Sequence, residues 1–296
     1  MIHEALAPAK VNLFLHVGEP DAAGMHPLSS LAVFADVGDR IQLRATDRPD
    51  FRLEGPFADA LAGEGDNLVL RALQALQVAA GGRLPALDVV LDKRLPVAAG
   101  LGGGSSDAAA ALRLARDVWA PALGDVTLNA IMARLGADGP MCLAARPMLA
   151  EGYGERLSPP PDLPDLPAVL ANPCAPASTP LVYRAYDAAG RFGGAAPPPM
   201  AAAYESPAEV ARFLAGCRND LEAPGAAVQP AAAEVLDTLR RKPGVLLARL
   251  SGSGATSFAL CESVATAQAL ASGLRRERPN WWLQPCILGG NRIGDA

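Results

Sequence analysis

Apolar residues gather over positions 11–17, 31–37 and 41–43, rich in β-branched and aromatic types and broken by a turn at Gly38-Asp39. This pattern predicts strands through most of the first fifty residues. The period then lengthens: Leu68, Ala72, Leu73, Leu76 and Ala79 recur at helical spacing, and Gly81-Gly82 supplies a stop. Residues 87–91 alternate as a strand. From Pro96 a glycine-rich loop leads into positions 105–112, where Ser105 reads as the cap of a helix. In the second half, a helix is expected over 231–241 and strands over 245–250 and 257–260, joined by the tip Ser251-Gly252-Ser253-Gly254. A helix over 264–275 and a strand over 281–288 complete the series.

Strands and helices alternate without a parallel βα repeat, so the fold class expected is α+β. The proline cluster at Pro159, Pro160, Pro161 and Pro164 marks a break in regular structure. It divides the chain into a domain of residues 1–157, a linker of 158–166 and a domain of 167–296. A second soft stretch, 193–199, reads as an inert connector. No internal repeat or heptad run is present.

The 296 residues are half hydrophobic and 19% charged, which suits a globular chain with a sizeable core and excludes a disordered one. With 26 Lys and Arg against 31 Asp and Glu, the net charge of −5 gives no general reason to bind nucleic acid or an anionic membrane. Five cysteines without a C-x-x-C pair, and three histidines, argue against structural zinc and for a reducing compartment. The first 17 residues carry Glu4, Pro8 and Lys10, unlike a secretory leader, so the expectation is a cytoplasmic protein with no membrane span.

The chemistry concentrates in residues 96–107. Gly100, Gly102, Gly103 and Gly104 just before a helix let backbone N–H groups turn toward one point, where the helix start adds positive potential. That is a phosphate cradle, although it has neither the Gly-Lys-Ser/Thr close of a P-loop nor the G-x-G-x-x-G spacing of a dinucleotide fold. The tip 251–254 alone would read as a hairpin turn, and two such loops together suggest one shared site. Phosphoryl transfer also needs a group to deprotonate the acceptor and a cation to offset charge, for which Asp138 and Lys10 are the candidates.

Three segments together, Pro8-Ala9-Lys10-Val11-Asn12-Leu13, residues 96–110 and residues 250–256, resemble the three motifs of the GHMP small-molecule kinases. Gly24 with His26, residues 34–39, Asn67-Leu68, Gly136-Ala137-Asp138, Glu151-Gly152 with Gly154-Glu155, Asn172-Pro173 and Asn219-Asp220-Leu221 extend the likeness over nearly the whole chain. Residues 100–109 are similar to the branch that phosphorylates the 2-hydroxyl of a cytidine diphosphate methylerythritol in non-mevalonate isoprenoid synthesis. The glycine loops of mevalonate and homoserine kinases are typically shorter.

The resemblance implies a two-domain architecture, an N-terminal domain like domain two of ribosomal protein S5 and a C-terminal ferredoxin-like domain, with substrate in the cleft between them. It implies ATP accompanied by Mg²⁺, Asp138 as base and Lys10 as its electrostatic partner. Pro96, Ala98, Gly100, Leu101, Gly102, Gly103, Gly104, Ser105, Ser106 and Asp107 would hold the ATP phosphates. Asn67 and Lys93 would lie toward the adenosine, and Gly252, Ser253 and Gly254 would close the site. Asn12, Met25, His26, Thr179 and Tyr183 fall to the acceptor, with His26 pairing to the cytosine edge and Tyr183 stacking on the base. Metal ligands stay unassigned, and a monomer or weak homodimer is expected. Met25 stands where the family usually has tyrosine. This keeps open a GHMP kinase for mevalonate, homoserine or a sugar, beside a non-catalytic nucleotide-binding regulator.

Overall fold

The computed structural model describes residues 1–61, 63 and 66–289. The chain divides into two compact units. The first comprises Met1–Ala9, Val37–Val97 and Gly102–Ala145, and the second Lys10–Asp36, Ala98–Leu101 and Arg146–Ala296. Strands β1 (His3–Val17) and β2 (Leu28–Ala45) therefore begin in one unit and end in the other.

In the first unit, β3 (Asp50–Glu54) runs parallel to β4 (Leu87–Asp92), and β4 runs antiparallel to the end of β2, with Arg40 opposite Asp92 and Ala45 opposite Leu87. The parallel pair requires a crossover, which α1 (Leu68–Ala79) provides. Ile41 and Leu43 are buried while Arg40 and Arg44 are exposed, the alternation of a sheet with one wet face. On that face Asp88 accepts from Arg44 at 2.7 Å and from Arg52 at 2.8 Å. Helix α1 buries Val69, Ala72, Leu73 and Leu76, the apolar stripe expected from its spacing. It packs on α2 (Gly103–Trp119), whose Ala108 to Ala111 are fully buried and allow close helix approach. Helices α3 (Asp125–Leu135) and α4 (Gly139–Ala144) pack against α2.

In the second unit, β5 (Met148–Gly152) lies between β2 and β6 (Arg156–Ser158). Then come β7 (Leu166–Asn172), α5 (Thr179–Ala189), α6 (Pro207–Ala215), α7 (Glu222–Val228) and α8 (Pro230–Arg240). The chain continues through β8 (Val245–Leu250), β9 (Ser257–Cys261), α9 (Val264–Glu277) and β10 (Trp282–Leu288). Strand order β10-β7-β9-β8 is wholly antiparallel, as in a ferredoxin-like unit. Helices α8 and α9 cover it through Val235, Leu236, Leu239, Ala267, Ala271 and Leu274, packed on Val169, Ala248 and Ala259.

Two expectations change. The units are not the continuous spans 1–157 and 167–296, because strand pairing brings residues 10–36 and 146–157 into the second unit. The proline stretch 158–166 is a connection inside that unit, where Asp162 bridges Ala203 before β7 begins. The last residues of the expected second domain, 290–296, lie outside the described residues. Helix α2 starts at Gly103 rather than at Ser105: its cap is Gly102, at φ 63°, with no side-chain cap bond. Glycine reaches that left-handed conformation without strain, so the turn needs no serine to begin.

Candidate active site

The glycine loop is held by its carbonyls. In the second unit, Ala98 O accepts from Ala177 N, Ala99 O from Thr256 N, Gly100 O from Ser251 Oγ and Leu101 O from Lys10 N, at 2.8 to 3.1 Å. Four successive acceptors are thereby taken. Gly100, at φ +74°, lies so close to the hairpin tip that a Cβ would stand 2.4 Å from Ser251 O. The chain then enters α2, where Ser106 N makes the first intrahelical bond, to Gly102 O at 2.9 Å. The N–H groups of Gly103, Gly104 and Ser105 precede that bond, and no side chain caps them. Gly104 is exposed and Ser105 half-buried, so these N–H groups stand at the positive end of a 17-residue helix, an arrangement that can receive an anion.

The first motif meets the hairpin tip in the same unit. Lys10, 6% exposed, donates from Nζ to Asn12 Oδ1 at 3.0 Å. Asn12 Nδ2 donates to Ser30 Oγ at 2.8 Å, and that hydroxyl donates to Phe14 O at 2.6 Å. Asn12 N donates to Ser251 Oγ at 3.2 Å. The tip is braced from behind: Asn219 Nδ2 reaches Leu250 O and Gly252 O, each at 2.8 Å, and the Ser253 and Thr179 hydroxyls are 2.8 Å apart. Ser30 was not among the residues expected here. A serine inside an apolar strand carries no local signal of its partner.

Asp138, in the first unit, stands at the N-terminal end of α4, half-buried, with no capping bond from its side chain. The turn is tight because α4 starts against the end of α3: a Cβ on Gly139 would lie 2.2 Å from Met132 O. The glycine that follows Asp138 serves that close approach.

Lys93 and Asp107, expected at the ATP site, meet each other inside the first unit. Both are buried, and Lys93 Nζ donates to Asp39 Oδ2 at 2.5 Å and to Asp107 Oδ2 at 2.9 Å. Asp39 Oδ1 accepts the backbone N–H groups of Arg94 and Leu95 at 2.6 and 2.8 Å. Burial opposes the charge on Lys93, but the Asp107 and Asp39 carboxylates outweigh it and hold the ammonium above its ordinary value. Burial pushes the Asp107 carboxyl well above the usual range, with Lys93 acting the other way. Asp107 Oδ1 and Ser106 Oγ are buried with no hydrogen-bond partner. These side chains brace the start of α2 from inside. Asn67 likewise serves structure, capping α1 through Val69 N at 2.9 Å. Leu68 beside it is the side chain closest to Gly104.

In the second unit, His26 is 9% exposed, its Nδ1 2.9 Å from Gly18 O and its Nε2 3.1 Å from Asp187 Oδ1. Its ring centroid is 5.2 Å from Tyr183, 5.8 Å from Tyr186 and 6.4 Å from Phe192. The structure thus brings His26 and Tyr183 together, whereas Met25 is 53% exposed. Asp187, Tyr186 and Phe192 were not foreseen, since no short-range pattern ties them to residue 26. Among the described residues no cluster of three His, Cys, Asp or Glu could hold a metal, and no helix is long and apolar enough to cross a membrane.

Comparison with known proteins agrees with this arrangement. The family of GHMP kinases N terminal domains matches residues 67–146, and that of GHMP kinases C terminal domains matches residues 200–280. A 4-diphosphocytidyl-2-C-methyl-D-erythritol kinase of Caulobacter vibrioides (strain NA1000 / CB15N) is 58% identical over 96% of this chain and 98% of its own. One of Hyphomonas neptunium is 46% identical over 96% and 95%. Among solved structures, a 4-(cytidine 5'-diphospho)-2C-methyl-D-erythritol kinase superposes with a TM-score of 0.77 at 34% identity, covering 98% of this chain and all of its own. A mevalonate kinase of L. major, at 16% identity and a TM-score of 0.67, shares the fold alone. With glycine loop, hairpin tip and first motif joined as described, the chain belongs to the GHMP kinases, in the 4-diphosphocytidyl-2-C-methyl-D-erythritol kinase family.

Proposed function

We propose that this chain transfers the γ-phosphoryl group of ATP to the 2-hydroxyl of 4-diphosphocytidyl-2-C-methyl-D-erythritol. The observation that carries the reading is the 58% identity to a kinase of that name over nearly the full length of both chains. The glycine loop supports the ATP half. The carbonyls of Ala98 to Leu101 fix its shape, and the N–H groups of Gly103, Gly104 and Ser105, which precede the first intrahelical bond, are the donors that would meet phosphate oxygens. Mg²⁺ would come bound to the ATP phosphates and neutralise charge on the transferred group. Ser106 and Asp107 are buried, and the Ser105 hydroxyl is the loop's remaining side-chain oxygen that could join it.

The accepting carbon carries a methyl group as well as the hydroxyl, so the nucleophile is a tertiary alcohol, hindered and weakly acidic. Catalysis then rests on orienting that oxygen and receiving its proton. We assign the proton to Asp138 and the offsetting positive charge to Lys10, whose ammonium is oriented by Asn12. Tyr183 would offer the cytosine ring an aromatic face, and His26 beside it would meet the base's polar edge by exchanging its contact with Gly18 O or Asp187 Oδ1. Mevalonate, homoserine and galactose remain acceptors of proteins that share only the fold at 11–19% identity.

The test is coupled ADP release with ATP and Mg²⁺ and four acceptors: the cytidine substrate, mevalonate, homoserine and galactose. Turnover with the cytidine substrate alone is expected, and turnover with another acceptor in its place would reject the acceptor half. In the same assay Asp138→Asn lowers kcat by about 10²-fold or more, on the usual scale for loss of a general base, and leaves ATP affinity nearly unchanged. Near-normal turnover in that variant would remove Asp138 from the role.

A further inference from the structure

Residues 193–199 read in the sequence as an inert connector, but the structure fastens their first part, together with Phe192 before it. After α5 ends at Gly190, Phe192 packs among Leu15, Val17, Val182, Tyr186 and Leu221. Its ring lies 5.3 Å from Tyr186, nearly perpendicular, and 6.4 Å from His26. The next two carbonyls, of Gly193 and Gly194, both accept from Arg218 Nη2 at 3.0 Å. Arg218 is itself held by Asp220, whose Oδ1 accepts its Nε at 2.8 Å and whose Oδ2 accepts Val17 N at 2.8 Å.

A second fastening follows at Ala196. His16, 4% exposed, donates from Nδ1 to Ala196 O at 3.1 Å and accepts the Arg218 N–H at Nε2 at 3.1 Å. Those two bonds define its tautomer, with hydrogen on Nδ1 alone. Burial lowers its pKa and keeps that neutral form in place. A run of glycine, alanine and proline would otherwise be free to sample many conformations. Here three carbonyls and one aromatic ring are fixed by side chains of β1 and of residues 218–220.

We propose that Phe192 is a positioning residue for the acceptor's nucleoside: the strap 191–196 seats its ring against His26 and Tyr186, so that His26 and Tyr183 stand ordered before a flat pyrimidine base arrives. The proposal rests on the reading of His26 and Tyr183 as the cytidine pocket. Its physical basis is preorganisation, since rings already held in their rotamers lose little conformational freedom on binding. None of the bonds that fasten the strap involves the glycine loop or Asp138, so loosening it alters acceptor binding rather than ATP binding or phosphoryl transfer.

The experiment is steady-state ADP release by the full chain, with the cytidine substrate and ATP varied in turn, for Phe192→Ala, Phe192→Tyr, Arg218→Ala and, as a pocket control, Tyr183→Ala. Melting curves accompany each variant. In Phe192→Ala, KM for the cytidine substrate is expected to rise by up to about tenfold, the scale of one aromatic contact. Its kcat and ATP KM are expected to stay within about twofold of the parent, and Phe192→Tyr to restore the KM. Arg218→Ala, which keeps the Phe192 side chain but frees the strap that seats it, shifts the same constant in the same direction. The proposal is overturned if Tyr183→Ala raises that KM while Phe192→Ala and Arg218→Ala leave it unchanged, which keeps the pocket and makes the strap inert. If Tyr183→Ala also changes nothing, the pocket reading falls and this inference falls with it.

Discussion

Asp39 and Asp107 share a single ammonium, that of Lys93, in a place none of the three can leave for water. Asp39 is the better satisfied, with two backbone N–H groups besides Lys93, while Asp107 has one oxygen with no partner. Burial pushes the Asp107 carboxyl up while the Lys93 ammonium acts the other way, and the raised direction prevails. A carboxyl with a raised folded pKa costs stability as pH climbs above its ordinary 3.8, because the unfolded chain releases a proton that the folded one keeps. Asp107→Asn removes that cost, so its urea midpoint is expected at or above that of the parent, with the advantage growing as pH rises through that window. Lys93→Ala, by contrast, leaves Asp39 buried without its cation and is expected to lose about 3–5 kcal/mol. Equal losses in the two variants would mean that Asp107 is ionised. The family resemblance placed Lys93 toward the adenosine, but its carboxylate partners stand 54 and 14 residues away, and only folding showed that they occupy its ammonium.

The glycine loop and the helix behind it form the element that the sequence exposes most directly. Its glycines do two different things. At Gly100 the requirement is room and sign of φ: alanine there would be strained at φ +74° and would drive a Cβ into Ser251 O. Gly100→Ala is expected to lower stability by about 1–3 kcal/mol and to raise KM for ATP with it. At Gly104 a Cβ would meet only Leu68 Cδ1, at 3.5 Å, but it would stand on the exposed N-terminal turn of α2. Gly104→Ala is expected to raise KM for ATP while its melting curve stays with the parent's. Normal ATP kinetics in Gly104→Ala would mean that phosphate does not rest on this turn. Composition and order revealed the cradle, since glycine density and a helix start are local properties. The carbonyl ties to Ala177, Thr256 and Ser251 were not legible, because each joins residues at least 79 positions apart.

At the scale of the molecule, the second unit depends on strands from the first sixth of the chain. Ala35 of β2 stands opposite Leu288 of β10, Leu15 bridges Asn219, and Val17 N is bound by Asp220. A fragment of residues 167–296 retains the β10-β7-β9-β8 sheet but loses β5, β6 and the parts of β1 and β2 that complete its unit. It exposes Val182, Tyr186 and Leu221, against which Leu15 and Val17 pack in the whole chain, and is expected to lack a cooperative thermal transition by circular dichroism. A sharp transition in that fragment would restore the division at the proline cluster. Proline density marked a real break in regular structure at 158–166, but a break in backbone regularity is not a boundary between cores. What the sequence determined by itself was what local periodicity and residue chemistry encode: the α+β alternation, the glycine cradle, the hairpin tip and the kinase family whose motifs they make. Tertiary structure alone decided how β1 and β2 are divided, which carboxylates occupy Lys93 and what fastens residues 191–196, because each of those depends on groups that stand apart in the chain and meet only on folding.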